Sequence, residues 1–242
     1  MAKKRSTDHD SNGPQVRKKF HLKDLRKIQP LTDNQTKLFE TWKDNSSLSF
    51  FLYGSAGTGK TFTAMFLALH DLLDTNSTYD KIIVVRSTVP SRDVGFLPGD
   101  IDEKTEVYEE PYISICDELF PWSKSYENMK KADKIEFMPT SFLRGTTFDN
   151  CILVVDECQN MNYQELDTVI TRIGKNTKVY FCGDCKQNDL IHKKTDTSGF
   201  EDFRRVVSSL REWFHSIEFT RDDIVRSRLV KDYIIAKETL LD

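Results

Sequence analysis

The chain has 242 residues, 35 Lys plus Arg against 38 Asp plus Glu for a formal net charge of −3, and 38% hydrophobic residues. That length and composition describe one globular domain able to bury a core without disulfides or a structural metal. Five cysteines without framework spacing exclude a disulfide scaffold, and no window nears the roughly 18 consecutive apolar residues of a membrane span, so no membrane partner is expected.

The opening MAKKRSTDHDSNG is polar where a secretion signal needs an apolar segment, so a cytoplasmic location is expected. Residues 1–30 carry nine Lys or Arg against three Asp, a net of +6, which leaves −9 for the rest. This stretch, poor in apolar groups over its first twenty residues, reads as a basic, flexible arm suited to phosphate contacts, with the domain proper at 31–242.

From Leu31 onward, short apolar or β-branched runs alternate with helical patterns. A helix is expected at 33–43, then an apolar strand at 48–53. Gly54-Ser55-Ala56-Gly57-Thr58-Gly59-Lys60-Thr61 follows, a full G-x-x-x-x-G-K-[ST] match between that strand and a helix at 60–73. Glycines there let backbone N–H groups converge on a polyphosphate at a helix N-terminus. Lys60 is placed for the β and γ phosphates and the Thr61 hydroxyl for Mg²⁺.

A strand at 81–85 comes next, then a helix at 103–119 within an acidic segment, 100–118, holding eight acids and one Lys. Phosphate would be repelled by that segment, which suits a solvated face or a subunit contact. Tyr112, Phe120 and Trp122, near Pro111 and Pro121, are aromatics that a loop could offer for base stacking. The basic stretch 124–134 leads into a strand at 134–138.

The strand 152–155 within CILVVDE ends in two carboxylates. Asp156 is placed to hold Mg²⁺ and Glu157 to polarise an attacking water. A metabolite kinase takes its nucleophile from its substrate and has no need of Glu157, so hydrolysis is favoured. After a helix at 163–173, the strand 178–182 ends in Gly183-Asp184-Cys185-Lys186-Gln187, where the Gln187 amide could report the γ-phosphate or the lytic water. Cys182 and Cys185 have C-x-x-C spacing, yet no second pair or nearby His supports zinc or redox chemistry. A helix at 200–210, a strand at 215–219 and a helix at 226–237 complete the pattern, and the whole describes an α/β fold with a mainly parallel central sheet.

With the GKT, DE and GD-x-x-Q strand tips, the segments IIVVRSTVPSRDVGFLPGD, SFLRGTTFDNCILVVDECQN and DDIVRSRLV make the chain resemble the PhoH-family ATPases over about residues 32 to 237. Their core is similar to the first RecA-like domain of superfamily-one helicases. The resemblance implies a three-layer RecA-like P-loop fold, ATP and Mg²⁺ as ligands, ATP hydrolysis, and a family-level link to RNA metabolism, and with it coupling to binding or moving along single-stranded RNA or DNA is expected. It makes Leu31-Thr-Asp-Asn-Gln35 similar to the helicase segment whose Gln reads adenine, with Thr32 or Asp33 also suited to cap a helix, and puts Arg86 where helicases contact nucleic acid. Hydrolysis also needs a cation at the γ-phosphate, for which Arg226 is the first candidate, with Arg221 and Arg144 behind it. One RecA-like domain has no second domain to supply a finger. An arginine acting in trans within a head-to-tail homo-oligomer, a ring such as a hexamer, is therefore expected. The alternative is an ATP-dependent assembly switch or regulatory binding module with weak hydrolysis.

Deleting residues 1–20 is expected to weaken nucleic-acid binding while leaving basal ATP turnover intact. A fluorescence-anisotropy titration at two salt concentrations checks this, since affinity should fall less steeply with salt once the arm no longer neutralises phosphates.

Overall fold

The computed structural model describes residues 19–44, 49–88, 101–184 and 199–240. Among them six strands form one sheet, in the order β3-β2-β4-β5-β1-β6 with all pairs parallel. In chain order the elements are α1 (Asp33–Asp44), β1 (Ser49–Gly54), α2 (Lys60–Leu73), β2 (Lys81–Arg86), α3 (Ile101–Leu119) and α4 (Ser125–Lys131). They continue with β3 (Ile135–Pro139), β4 (Cys151–Asp156), α5 (Tyr163–Thr171), β5 (Lys178–Asp184), α6 (Phe200–Ser209), β6 (Phe214–Phe219) and α7 (Arg228–Leu240). The α/β parallel architecture expected from the sequence is thus present.

Alternation along each strand divides two cores, because successive side chains point to opposite faces. Phe50, Leu52, Ile82, Val84, Ile152 and Val154 face α1, α2, α3 and α4. Phe51, Ile83, Val85, Leu153, Val155 and Phe181 face α5 and α6. Apolar faces on both sides explain why the strands read as continuous hydrophobic runs. The three layers follow from this.

Three expectations change. Residues 19–30, expected to belong to the basic arm, are packed: Leu25 is buried, the Phe20 ring meets Phe120 edge-on at 5.6 Å, and Arg26 N–H donates to the Leu119 carbonyl at 2.8 Å. The packed body therefore begins no later than Phe20, and a truncation confined to the arm should stop at residue 18. Tyr112 is buried within α3, and Phe120 and Trp122, in the loop between α3 and α4, are buried and half-buried and stacked on each other at 5.6 Å, so none of the three is a free aromatic for base stacking. The cause is that α3 continues through Pro111 and turns Tyr112 inward.

The acidic segment is also only partly a solvated face. Glu109 is buried and accepts from Lys130 Nζ at 2.8 and 2.9 Å, pinning α4 to α3. Asp117 accepts from the Lys124 and Ser125 N–H groups at 3.2 and 2.8 Å, capping α4 where no side chain of its own first turn does so. The basic stretch at 124–134 resolves into this short helix.

At the opposite end of the sheet from the glycine-rich loop, Asp71 in the last turn of α2 accepts from Lys178 Nζ at 2.7 Å and from Trp42 Nε1 at 2.9 Å. The Lys178 side chain is 1% exposed and its ammonium lies over the Phe50 and Tyr180 rings at 5.6 and 5.5 Å. Burial pulls its pKa below the ordinary lysine value despite Asp71. Removing one partner of such a pair leaves an uncompensated charge, whereas replacing both with apolar groups does not. Asp71→Ala is expected to cost about 3–5 kcal/mol in urea denaturation, and Asp71→Leu with Lys178→Met to recover most of it.

Candidate nucleotide site

In a parallel sheet every carboxyl end lies on one edge, and ligand-binding loops collect there. Here β5 lies between β1 and β4, with Gly54 beside Asp184 and, one strand further, Asp156 beside Arg86. A cavity of about 870 Å³ opens over these strand ends, between the glycine-rich loop, α3 and the chain at 28–31.

The glycine-rich loop is held in shape by its neighbours. Ser55 N–H donates to the Phe219 carbonyl at 2.8 Å and Val225 N–H to the Gly57 carbonyl at 3.0 Å, so the chain leaving β6 grips the loop at two points. Gly59, with φ 78°, begins α2 in the left-handed region, where a side chain would be strained. Lys60 is buried and its Nζ donates to the Ser55 carbonyl at 2.7 Å and to Thr58 Oγ1 at 3.3 Å. The ammonium thus stays inside the loop that a polyphosphate would enter.

Across β5, Thr61 Oγ1 donates to Asp156 Oδ1 at 2.7 Å, and the Tyr112 hydroxyl donates to Asp156 Oδ2 at 2.8 Å. Glu157 follows in the left-handed region, φ 53° and ψ 42°, and Gln159 Nε2 donates to its Oε2. The other end of that amide, Gln159 Oε1, accepts the Asp184 N–H at 2.8 Å. Burial, with the Asp156 charge beside it, raises the Glu157 pKa above the ordinary glutamate value, against the pull of Gln159 and Arg86.

Thr61 and Asp156 supply hard oxygen donors within hydrogen-bond distance of each other, a fit for Mg²⁺, which prefers few protein ligands beside water and phosphate oxygens. Among the described residues no group of three or more His, Cys, Asp or Glu could hold a metal by itself. Cys182 is buried, and burial followed by the Asp156 charge pushes its thiol well above the ordinary value, the mark of an inert cysteine. Cys185 lies outside the described residues.

On the other side of the loop, Gln35 is buried, with Nε2 donating to the Thr58 carbonyl at 3.0 Å and Oε1 accepting the Leu31 N–H at 2.8 Å. Each end has one hydrogen-bonding position beyond these bonds, and Gln35 lines the cavity together with Ile28, Leu31 and Phe39. Thr32 contributes to the start of α1, its Oγ1 accepting the Gln35 N–H at 3.4 Å. Asp223 ties α1 to the chain after β6, accepting from Asn34 Nδ2 and the Thr220 N–H, both at 2.8 Å.

The arginines separate. Arg226 is exposed but lines the cavity of its own chain beside Gly57, and Arg86 lines the same cavity with its guanidinium 5.7 Å from the Tyr108 ring centroid. Arg221 pairs with Glu238 of α7 at 2.8 Å, and Glu238 also accepts from Ser55 Oγ at 3.3 Å. Arg144 is exposed on the loop after β3 and is not among the residues lining the cavity. Gln187 lies outside the described residues. Sequence reasoning named Lys60, Thr61, Asp156, Glu157 and Gln35, which the fold brings together. It gave no site role to Gln159 or Glu238 and the wrong one to Tyr112; of the three, only Gln159, in DECQN, stands in a recognisable motif.

The model of the family described as PhoH-like protein matches residues 27–238. The PhoH-like protein of Synechocystis sp. is 34% identical over 189 residues, covering 78% of this chain and 56% of that protein. Protein PhoH of Escherichia coli K12 is 32% identical over 210 residues, covering 86% and 58%. The chain thus spans little more than half the length of these curated relatives. Among solved structures, the large terminase from a thermophilic bacteriophage is similar with a TM-score of 0.51 and 13% identity, covering 85% of this chain and 50% of that one. That likeness bears on the fold alone, and it agrees with a RecA-like domain.

Two glycines differ in a way that tests the grip of β6 on the loop. Gly54 has φ 126° and a Cβ there would run into the Phe219 backbone, whereas at Gly145, φ 86°, nothing lies within 4 Å. Gly145→Ala should cost only the left-handed strain of about 1–2 kcal/mol. Gly54→Ala should cost about 3 kcal/mol or more, read as the larger fall in Tm.

Proposed function

The chain belongs to the PhoH-like family, and we propose that it is a Mg²⁺-dependent ATPase coupled to binding or moving along single-stranded RNA or DNA. The observation that carries this reading is the convergence of Lys60, Thr61, Asp156 and Glu157 on one cavity, with Thr61 and Asp156 2.7 Å apart across β5. Gly54 to Thr61 cradle the phosphates, and Lys60 exchanges its Ser55 carbonyl for the β and γ oxygens. Gln35 offers its remaining donor and acceptor to the adenine edge. Thr61 and Asp156 would hold magnesium, which would supply charge neutralisation at the phosphates when bound. Glu157 orients the attacking water and accepts its proton, with Gln159 fixing the carboxylate. Gln187 keeps its expected role at the γ-phosphate.

Arg226 serves as a cation within its own subunit, because it already lines that subunit's cavity. Arg144, exposed away from that cavity, is the residue a neighbouring subunit can receive, which fits a head-to-tail homo-oligomeric ring with its finger in trans. The basic arm adds phosphate contacts for the nucleic acid.

Phosphate release from ATP, with and without single-stranded RNA or DNA, tests the reading. Lys60→Ala should abolish turnover, and Glu157→Gln should lower kcat by about 10² or more while ATP binding persists. Unchanged turnover in Glu157→Gln would refute the hydrolytic assignment. Equal turnover with and without both polymers would remove the nucleic-acid coupling.

A further inference from the structure

Asp156 is buried at the end of β4, and each of its two oxygens has its own donor. Oδ1 accepts from Thr61 of the glycine-rich loop at 2.7 Å, and Oδ2 accepts from the Tyr112 hydroxyl at 2.8 Å. Tyr112 is fully buried on the inner face of α3, and its ring packs against Phe137 of β3 with centroids 6.0 Å apart. The ring is therefore clamped between a helix and an edge strand, and its hydroxyl cannot follow the carboxylate if the carboxylate turns. A carboxylate has about four acceptor positions and a soft terminal torsion, so one fixed donor on Oδ2 decides which oxygen and which lone pairs remain for the metal side.

We propose that Tyr112 is a positioning residue for the magnesium side of the site, holding Asp156 by Oδ2 so that Oδ1 stays turned to Thr61 before nucleotide arrives. This rests on the ATPase reading above. Removing the hydroxyl would leave a buried carboxylate oxygen without its donor and free to reorient, at the expense of the geometry presented to the metal. Partners one step behind metal ligands commonly tune metal affinity by about 10- to 100-fold. The same helix carries Tyr108, whose ring lies under the Arg86 guanidinium at 5.7 Å, and Arg86 pairs in register with Asp156 on the neighbouring strand. So α3 places both the carboxylate and the cation beside it, although no phosphate-loop or strand-tip motif lies within it.

The test is Tyr112→Phe, which removes one oxygen and keeps the ring against Phe137. It is compared with the wild-type chain and with para-aminophenylalanine at the same position, which returns an N–H donor on a ring of the same shape. Affinity for a fluorescent ADP is titrated with and without Mg²⁺, a readout that needs no turnover. The expected result is metal-free ADP affinity within about twofold of wild type, a magnesium-dependent gain in affinity reduced by about tenfold, and recovery of most of that gain with the amino variant. A Tyr112→Phe chain that keeps the full magnesium-dependent gain overturns the proposal. So does one that loses affinity equally with and without Mg²⁺, since that is the behaviour of a residue that only packs. If the wild-type chain gains no ADP affinity from Mg²⁺, the ATPase reading falls and this proposal with it, so the two failures are told apart by the wild-type titration.

Discussion

The hydrogen bond from Thr61 to Asp156 is the contact on which the site depends, because its two residues lie 95 positions apart, one in the first turn of α2 after β1 and the other at the end of β4, and those two strands do not touch. It exists only because β5 is inserted between β1 and β4 and all three run parallel in fixed register. A one-residue slip would turn Asp156 to the opposite face of the sheet, toward α5 and α6. Two packed faces prevent the slip: Ile152 and Val154 are committed to one core, Leu153 and Val155 to the other. The site's precision is therefore drawn from hydrophobic burial on both sides of a strand whose last residue is charged.

The same logic explains what the sequence could reveal. Runs such as SFFLY and CILVV have apolar groups on both faces, so strand type and position were legible within one or two residues at each end. The glycine-rich loop and the DE pair were legible because their chemistry is concentrated in consecutive residues. α4 was not, since it has seven residues, two terminal lysines and a cap supplied by Asp117 from another helix. Tyr112 could not be placed either. Its role depends on how far α3 is rotated about its axis and on a hydroxyl reaching a strand 44 residues later, neither of which a local pattern records. Arg226 stood out by its motif, but only the folded chain puts it beside Gly57 of its own loop.

The placement of the acids gives the near-neutral charge its structural content. Three acids of the body are engaged in internal pairs: Asp71 with Lys178, Glu109 with Lys130, and Glu238 with Arg221. Asp223 is used as a hydrogen-bond hub between α1 and the chain after β6. Burial alone would raise its pKa, but the bonds to its charged form outweigh that and hold it below the ordinary aspartate value. Each of these carboxylates joins elements that the sheet alone would leave separate. Two of them, Asp223 and Glu238, fasten the segments next to the glycine-rich loop. Asp156 and Glu157 face a cavity also lined by Lys60, Arg86 and Arg226. The lining thus holds four carboxylates, Glu118 and Asp184 besides Asp156 and Glu157, against three cations, and one of the four, Asp156, is already engaged by Thr61 and Tyr112.

Gln159 connects the Glu157 side of this cavity to the tip of β5. One end of its amide holds the Glu157 carboxylate and the other takes the Asp184 N–H, so a single planar group spans the tips of β4 and β5. Glu157 itself sits in the left-handed region, a conformation that costs a non-glycine residue about 1–2 kcal/mol and persists only where its surroundings fix it. Gln159 supplies part of that fixing. Moving the Asp184 amide by the length of a hydrogen bond would free one end of the bridge and with it the orientation of Glu157. The tip of β5 can in this way set whether the carboxylate beside it is aimed, through one amide rather than through any rearrangement of the sheet.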